Sequence, residues 1–280
     1  MIAYVNHTFL REENAVLHVG DLALQRGYAA FDFFRTRKGV PLFLDDYLHR
    51  FFDSAALMHL HPTQTKNQLK EIIYELIEKN KLQESGIRMI LTGGYSPDSY
   101  QPATPNLVVL QQPLALPDRA KFEAGLKVIT LEYERDLPTV KSINYLMGIW
   151  LQQKIRAQKA ADVLYYKSGW VSEFPRANIF IVTKEKKIVT PAEGILKGIT
   201  RMKLLDLVRS KFDVEERSVH LDEVKNAAEV FMTSTTKRLL PIYQVDDKII
   251  GEGKAGPITT LLNTMFLNLE EDIAVVQEVD

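Results

Sequence analysis

Residues 162–182, DVLYYKSGWVSEFPRANIFIV, read as one strand (DVLYYK), a turn, and a second strand (NIFIV). The β-branched and aromatic runs are short, and Ser168, Gly169 and Pro175 break the stretch between them, which leaves no room for a helix. KIVTP (187–191) continues as a third strand, and a helical pattern resumes only over Thr200 to Phe212. Strands that follow one another without crossover helices do not build a doubly wound parallel sheet. The segment points instead to an α/β or α+β domain.

Upstream of it, LKVITLEY (126–133) is a strand, followed by a loop carrying Lys141 and a helical pattern from about Asn144 to Ala161. Downstream come VEERSV, a short helix, EVFMTST, PIYQV and a final amphipathic helix, and the acidic end EEDIAVVQEVD reads as a solvated tail. The stretch QQPLALPDRAKFEAG, with Pro113 and Pro117, is the most linker-like, which gives two domains, residues 1–118 and 119–280. The first begins with short β-like runs (IAYV, AVLHV, FDFFRT, VPLFL). Two helices follow, Asp45 to Leu60 and Thr63 to Asn80, separated by Pro62 and capped by Asp45 and Thr63. IRMILT and NLVVLQ then flank GGYSPDSYQPATP (93–105), an irregular loop suited to cover a site and a candidate wall of a substrate pocket.

With 46% hydrophobic and 25% charged residues, the chain can bury the cores of two ordinary domains. Its 35 Lys and Arg balance 36 Asp and Glu, so no general field attracts nucleic acid or an anionic membrane, and the expected ligand is a small molecule. The absence of cysteine excludes disulfides, thiolate metal sites and a cysteine nucleophile. The start MIAYVNHTFLREEN does not read as a secretion signal and no apolar run is long enough to cross a bilayer, so a cytoplasmic protein is expected. No GxxxxGKS/T, GxGxxG, GxSxG or HExxH motif is present, and His59 and His61 are poorly spaced as metal ligands, so no metal is expected.

Five places carry residues fit for chemistry. Lys141, in DLPTVKSINYLMGIW, lies between a proline-containing loop and an apolar helix, where an amine can be held for Schiff-base formation; singly, a solvated loop lysine is the commoner outcome. Glu173 sits at the mouth between two strands, where a carboxylate can face a protonated pyridine nitrogen, although a turn glutamate fits as well. Arg50, with Tyr47 and Ser54, forms a polar stripe beside an apolar helix face and reads by itself as solvated. Gly198, Ile199 and Thr200 open a helix whose free amides suit a phosphate, or else a threonine caps it with no ligand. The hydroxyls of TSTT (233–236) suit an anion or an ordinary polar turn.

Taken in order, R50 in DDYLHRFFDSA, K141 in VKSINY, E173 in SEFPRANIFIV, GIT at 198–200 and TSTT at 233–236 resemble the fold-type IV pyridoxal-phosphate family of branched-chain aminotransferases, D-amino acid aminotransferases and aminodeoxychorismate lyases. The resemblance runs over nearly the whole chain. It implies a small N-terminal α/β domain and a larger, barrel-like C-terminal domain with a mixed sheet, probing amino acids and oxo acids with pyridoxal 5'-phosphate in a homodimer. It further implies that Lys141 carries the cofactor as a Schiff base, Glu173 pairs with the pyridine nitrogen, and Arg50, Ile199, Thr200, Ser234 and Thr235 hold the phosphate. Leu196 lies against the ring face, and Tyr145 donates to the ring oxygen.

For the substrate pocket the resemblance implies Phe31, Tyr95, Tyr100, Arg176 and Thr236. The pair Asn144 and Tyr145 resembles the branched-chain enzymes, one residue nearer the lysine, which favours transamination of a branched-chain-like L-amino acid. The SP turn of YSPDSY resembles the D-amino acid enzymes, but their carboxylate-binding arginine and histidine fall on Asp98 and Tyr100, and an aspartate cannot hold a carboxylate. Phe174, Pro175 and Arg176 replace the small residues expected after the glutamate. The alternatives are a pyruvate-eliminating lyase of the aminodeoxychorismate type and a non-catalytic vitamin-B6-binding protein.

Overall fold

The computed structural model describes residues 1–276 and divides into two units, each with its own sheet. The first comprises Met1–Ala115, the segment Val140–Asn144 and the chain from Asp272, and the second Leu116–Thr139 with Tyr145–Glu271. Both are mixtures of helices and strands, as the fold class requires.

In the first unit six strands lie in the order Thr8–Arg11, Ile2–Val5, Leu107–Pro113, Ser85–Thr92, Ala29–Arg37, Val40–Pro41, with every pair antiparallel. The helix Leu44–Leu57 packs on Ala29–Arg37, burying Leu48, Phe51 and Ala55, and the helix Lys66–Asn80 buries Leu69, Ile73 and Leu76 against Ile2–Val5 and Leu107–Pro113. These spacings of three and four place the apolar side chains on one stripe. The caps differ from the expectation. The first helix starts behind Phe43 in a left-handed conformation with no side-chain cap, and Asp45 falls inside its first turn. The second is capped by Thr65, not Thr63, because only Thr65 has Gln68 at the third helical position to close a reciprocal capping box. AVLHV (15–19) is not a strand; TFLR (8–11) pairs with IAYV in its place, through the turn at Asn6 and His7.

The second unit holds an eleven-stranded sheet. Its central strands are Ala177–Val182, Glu229–Ser234, Arg238–Val245, Leu126–Glu132 and Asp162–Lys167, in that order. The first two junctions are antiparallel and the next two parallel, so the sheet is mixed. One face buries Ile179, Ile181, Val230, Met232, Leu240 and Ile242. On the other, Phe180 and Phe231 are register partners with stacked rings, centroids 5.1 Å apart. Ala177–Val182 is buried along its whole length, and both faces are therefore covered.

Two expected helices change shape. The pattern from Asn144 to Ala161 forms two short helices, Leu146–Trp150 and Gln152–Ala157, joined at Leu151. The acidic end is helical to Val276 as part of Pro257–Val276, with Glu270 and Ala274 fully buried, so its described part is not a tail. Glu270 is held there by Arg238 at 2.7 Å, and an ion pair makes its burial tolerable. The rest of that end, 277–280, lies outside the described residues.

Candidate active site

The residues singled out by the sequence fall on both units, and each group has its own scaffold. In the first unit, Lys141 is clamped through its backbone. Ala29–Arg37 pairs with Val40–Pro41 only at its far end, and its near edge receives the 141–143 segment instead. Phe31 N donates to Lys141 O at 2.9 Å, and Ile143 N to Ala29 O at 3.0 Å. Lys141 N donates to Ser54 Oγ at 3.2 Å, and Lys141 Nζ stands 4.7 Å from the Phe31 ring centroid. Strand and helix thus fix the chain on both sides of the amine.

Arg50 lies one turn before Ser54 on the same helix. Its Nε and one terminal nitrogen donate to the two oxygens of Asp32 at 2.9 and 2.6 Å, and Asp32 is fully buried in the strand beside Phe31. This fork-to-carboxylate pairing sets the plane of the guanidinium, and the Tyr47 ring lies 5.2 Å from it. Ala29–Arg37 therefore orients the two cations singled out in this unit, Lys141 through Phe31 and Arg50 through Asp32.

In the second unit, Glu173 is buried at 4% exposure. One oxygen accepts from Arg135 at 2.8 Å; the other accepts from the Leu196 amide at 3.0 Å and from Asn178 Nδ2 at 3.5 Å. Asn178 Nδ2 also donates to Leu196 O at 2.8 Å, which ties the residues around Leu196 to the glutamate. Close by, Gly198 precedes the helix Ile199–Val208 without any side-chain cap, so Thr200 is not a cap. A Cβ on Gly198 would lie 2.2 Å from Asn178 Oδ1, which is why a glycine stands there. Burial, with Tyr133, Asp162 and Glu173 nearby, pushes the Tyr165 hydroxyl far above its usual range, so it stays a neutral phenol.

The donor set fits a phosphorylated pyridine aldehyde. Thr233 Oγ1 and Ser234 Oγ are buried with no hydrogen-bond partner among the described residues, an arrangement that costs free energy unless a ligand accepts or donates there. The start of the Ile199–Val208 helix adds amides that the helix itself leaves unpaired. In the second unit the buried Glu173 carboxylate adds an acceptor for a ring nitrogen, and the first unit by itself carries the amine of Lys141. Among the described residues no three His, Cys, Asp or Glu side chains are grouped to hold a metal ion.

Residues 29–245 match the family model for amino-transferase class IV. The chain belongs to that family. It is 29% identical to a D-alanine aminotransferase of Bacillus licheniformis over 94% of this chain and 95% of the relative. It is 30% identical to a putative branched-chain-amino-acid aminotransferase of Methanocaldococcus jannaschii over 96% of each chain. A hypothetical aminotransferase of Mycobacterium tuberculosis, solved in a PLP-bound form, superposes with a TM-score of 0.83 at 21% identity, covering 99% of this chain and 100% of that one. As a class IV aminotransferase the chain is an enzyme, and its fold is that of the solved relative.

Within this aminotransferase, the remaining sequence-derived residues fall as follows. Tyr145 precedes the Leu146–Trp150 helix and is partly buried, as are Leu196, Thr235 and Phe31, whereas Arg176 and Thr236 are exposed at turns. Phe174 fills the core and Pro175 packs against Gly148, so the bulk after Glu173 is taken up by packing. Tyr95 and Tyr100 project from the 93–105 loop at 47% and 82% exposure. Asp98 turns inward to its own loop, accepting from Ser96 Oγ and from the Tyr100 and Gln101 amides. Three contributors escaped the sequence: Asp32, Arg135 and Asn178. Asp32 had one visible signal, a charge inside the apolar run FDFF.

Proposed function

We propose that this class IV aminotransferase binds pyridoxal 5'-phosphate through Lys141 and transfers the amino group of a branched-chain-like L-amino acid to an oxo acid. The observation that carries the reading is the Glu173 carboxylate, buried yet oriented by Arg135 on one oxygen and the Leu196 amide on the other. When bound, the cofactor supplies an aldehyde that exchanges amino groups and a ring that draws electrons from the substrate's α-carbon. Glu173 would pair with the ring nitrogen and Leu196 would lie against the ring. Tyr145 would donate to the ring oxygen. Arg50, the Ile199 and Thr200 amides, and the Thr200, Ser234 and Thr235 hydroxyls would hold the phosphate. Lys141 Nζ would carry the proton from the substrate α-carbon to the cofactor's aldehyde carbon in the first half of the transfer, and in the opposite direction in the second half.

The L-amino acid preference is supported by the 93–105 loop. A loop that offers Asp98, already engaged with its own amides, provides no cation for a D-amino acid carboxylate. Phe31, Tyr95, Tyr100, Arg176 and Thr236 are the proposed pocket residues. The partner is a second copy of the chain, giving twice the 32.0 kDa mass in light scattering. The deciding experiment mixes purified enzyme with a panel of L- and D-amino acids and follows cofactor absorbance. L-Leu, L-Ile and L-Val convert it to the amine form, and borohydride labels Lys141. Conversion by D-Ala alone, or labelling of another lysine, overturns the reading.

A further inference from the structure

Asp21 stands ahead of the short helix Leu22–Arg26 with its side chain 1% exposed, and among the described residues no cation pairs with it. A buried carboxylate in that position needs hydrogen bonds on both oxygens. Oδ1 accepts from the Ala23 amide at 2.8 Å; Oδ2 accepts from Thr92 Oγ1 at 2.7 Å and from Asn106 Nδ2 at 2.8 Å. Thr92 ends one strand and Asn106 immediately precedes the next, so one carboxylate oxygen grips both feet of the 93–105 loop.

The feet are bound further to each other and to the segment around Asp21. Thr92 Oγ1 accepts from the Gly94 amide at 3.1 Å and from the Asn106 amide at 3.3 Å. Leu22 N donates to Gly94 O at 3.0 Å, Ser96 N to Gly20 O at 3.3 Å, and Ala103 N to Gly93 O at 2.8 Å. Gly94 has φ +78°, and a Cβ there would lie 2.1 Å from Thr104 O, so the turn tolerates no side chain. The tip is organised separately around Asp98, whose carboxyl the Gln101 and Tyr100 amides hold below its usual range. The loop thus has a fixed root and a self-contained tip, and the chemistry of amino transfer makes no use of Asp21.

We propose that Asp21 is a positioning residue: by fixing the root of the 93–105 loop it sets how tightly the amino acid is held, not how fast its amino group moves. The inference rests on the reading of that loop, with Tyr95 and Tyr100, as a wall of the substrate pocket. An asparagine at position 21 keeps the shape but has one acceptor oxygen and no charge. Turned toward the feet it sets its nitrogen against the Ala23 amide, and turned toward Ala23 it sets it against the donors of Thr92 and Asn106, so the charge-assisted grip on the loop root is lost in both orientations.

The test uses the holoenzyme with Asp21→Asn, and with Thr92→Val and Thr92→Ser as a second pair should Asp21→Asn fail to fold. In Asp21→Asn and Thr92→Val, amide exchange at Gly94, Ser96 and Ala103 accelerates about tenfold or more, as expected for losing one charge-assisted hydrogen bond. The helix Lys66–Asn80 keeps its protection. KM for the amino donor rises about tenfold while the maximal half-reaction rate stays within about twofold and cofactor content is unchanged. Thr92→Ser retains the hydroxyl and behaves as the parent. Unchanged exchange shows that Asp21 does not anchor the loop, and faster exchange with unchanged KM shows that the loop does not hold the substrate; either overturns the proposal, as does a joint fall of rate and cofactor content. If the parent enzyme transfers no amino group at all, the functional reading fails instead, and the exchange measurement still decides whether Asp21 anchors the loop.

Discussion

Glu173 and Arg50 each meet an opposite charge, with different consequences for substitution. Glu173→Gln keeps the acceptor for Arg135 or for the Leu196 amide but removes the anion. The half-reaction slows on the order of 10²-fold, the scale of a lost proton-directing group, and the bound cofactor stays stoichiometric, as stopped-flow absorbance and cofactor titration will show. Arg50→Ala does more than weaken phosphate binding. It leaves Asp32 buried without its partner, and breaking a buried pair costs about 3–5 kcal/mol, read as a lowered midpoint in urea. The double change Arg50→Met with Asp32→Asn recovers much of that stability while cofactor retention stays poor. Recovery of both would remove Arg50 from the phosphate site. Lys141 and Glu173 were singled out only by their place in an ordered resemblance, since each alone reads as a loop lysine or a turn glutamate. Their supporting residues were not, since Arg50 meets Asp32 across 18 positions, Glu173 meets Arg135 across 38, and Lys141 meets Ser54 across 87.

At the scale of elements, the start of the Ile199–Val208 helix shows how close packing dictates a residue. Gly198→Ala pushes a methyl into the Asn178 amide, which must turn away from Leu196 O and Glu173. Overpacking of this kind costs about 1–3 kcal/mol. Thermal denaturation will show that loss, accompanied by weaker cofactor retention, and Gly198→Ala combined with Asn178→Ala restores the fold but not the retention. Apolar periodicity foretold the helices Leu44–Leu57 and Lys66–Asn80 within a few residues. It failed for AVLHV, whose Val16 and Val19 are exposed, because alternation alone does not supply a partner strand. It also ran one helix through Leu151, where the structure has two short helices meeting at a residue that keeps right-handed helical angles.

Across the second unit as a whole, Asp246 joins three elements. It accepts from the amide and hydroxyl of Thr130 at 2.8 and 2.9 Å and pairs with Lys225 at 2.9 Å. Burial alone would raise its carboxyl, but these donors outweigh it and hold the group below the usual aspartate range. A depressed folded-state value stabilises the protein above about pH 4, the ordinary value of the unfolded chain, and the contribution disappears as pH falls through the folded value. Denaturant midpoints measured from pH 7 to pH 3 therefore decline less steeply for Asp246→Asn than for the parent. An equal slope would mean that the charge on Asp246 contributes nothing. The mixed character of this unit was visible in the run of strands after residue 162, whereas the pairing of Leu126–Glu132 with Arg238–Val245, more than a hundred residues apart, was not. The return of Val140–Asn144 to the edge of Ala29–Arg37 has a consequence for synthesis. A nascent chain that has emerged as far as Ala115 holds all six strands of its first sheet, yet the ribosome must deliver a further stretch, through Ile143, before that sheet's open edge is covered. Lys141 thus reaches its seat only after the strand that receives it has been laid down, and a chain stalled just short of it exposes that bare edge to pairing with a neighbour.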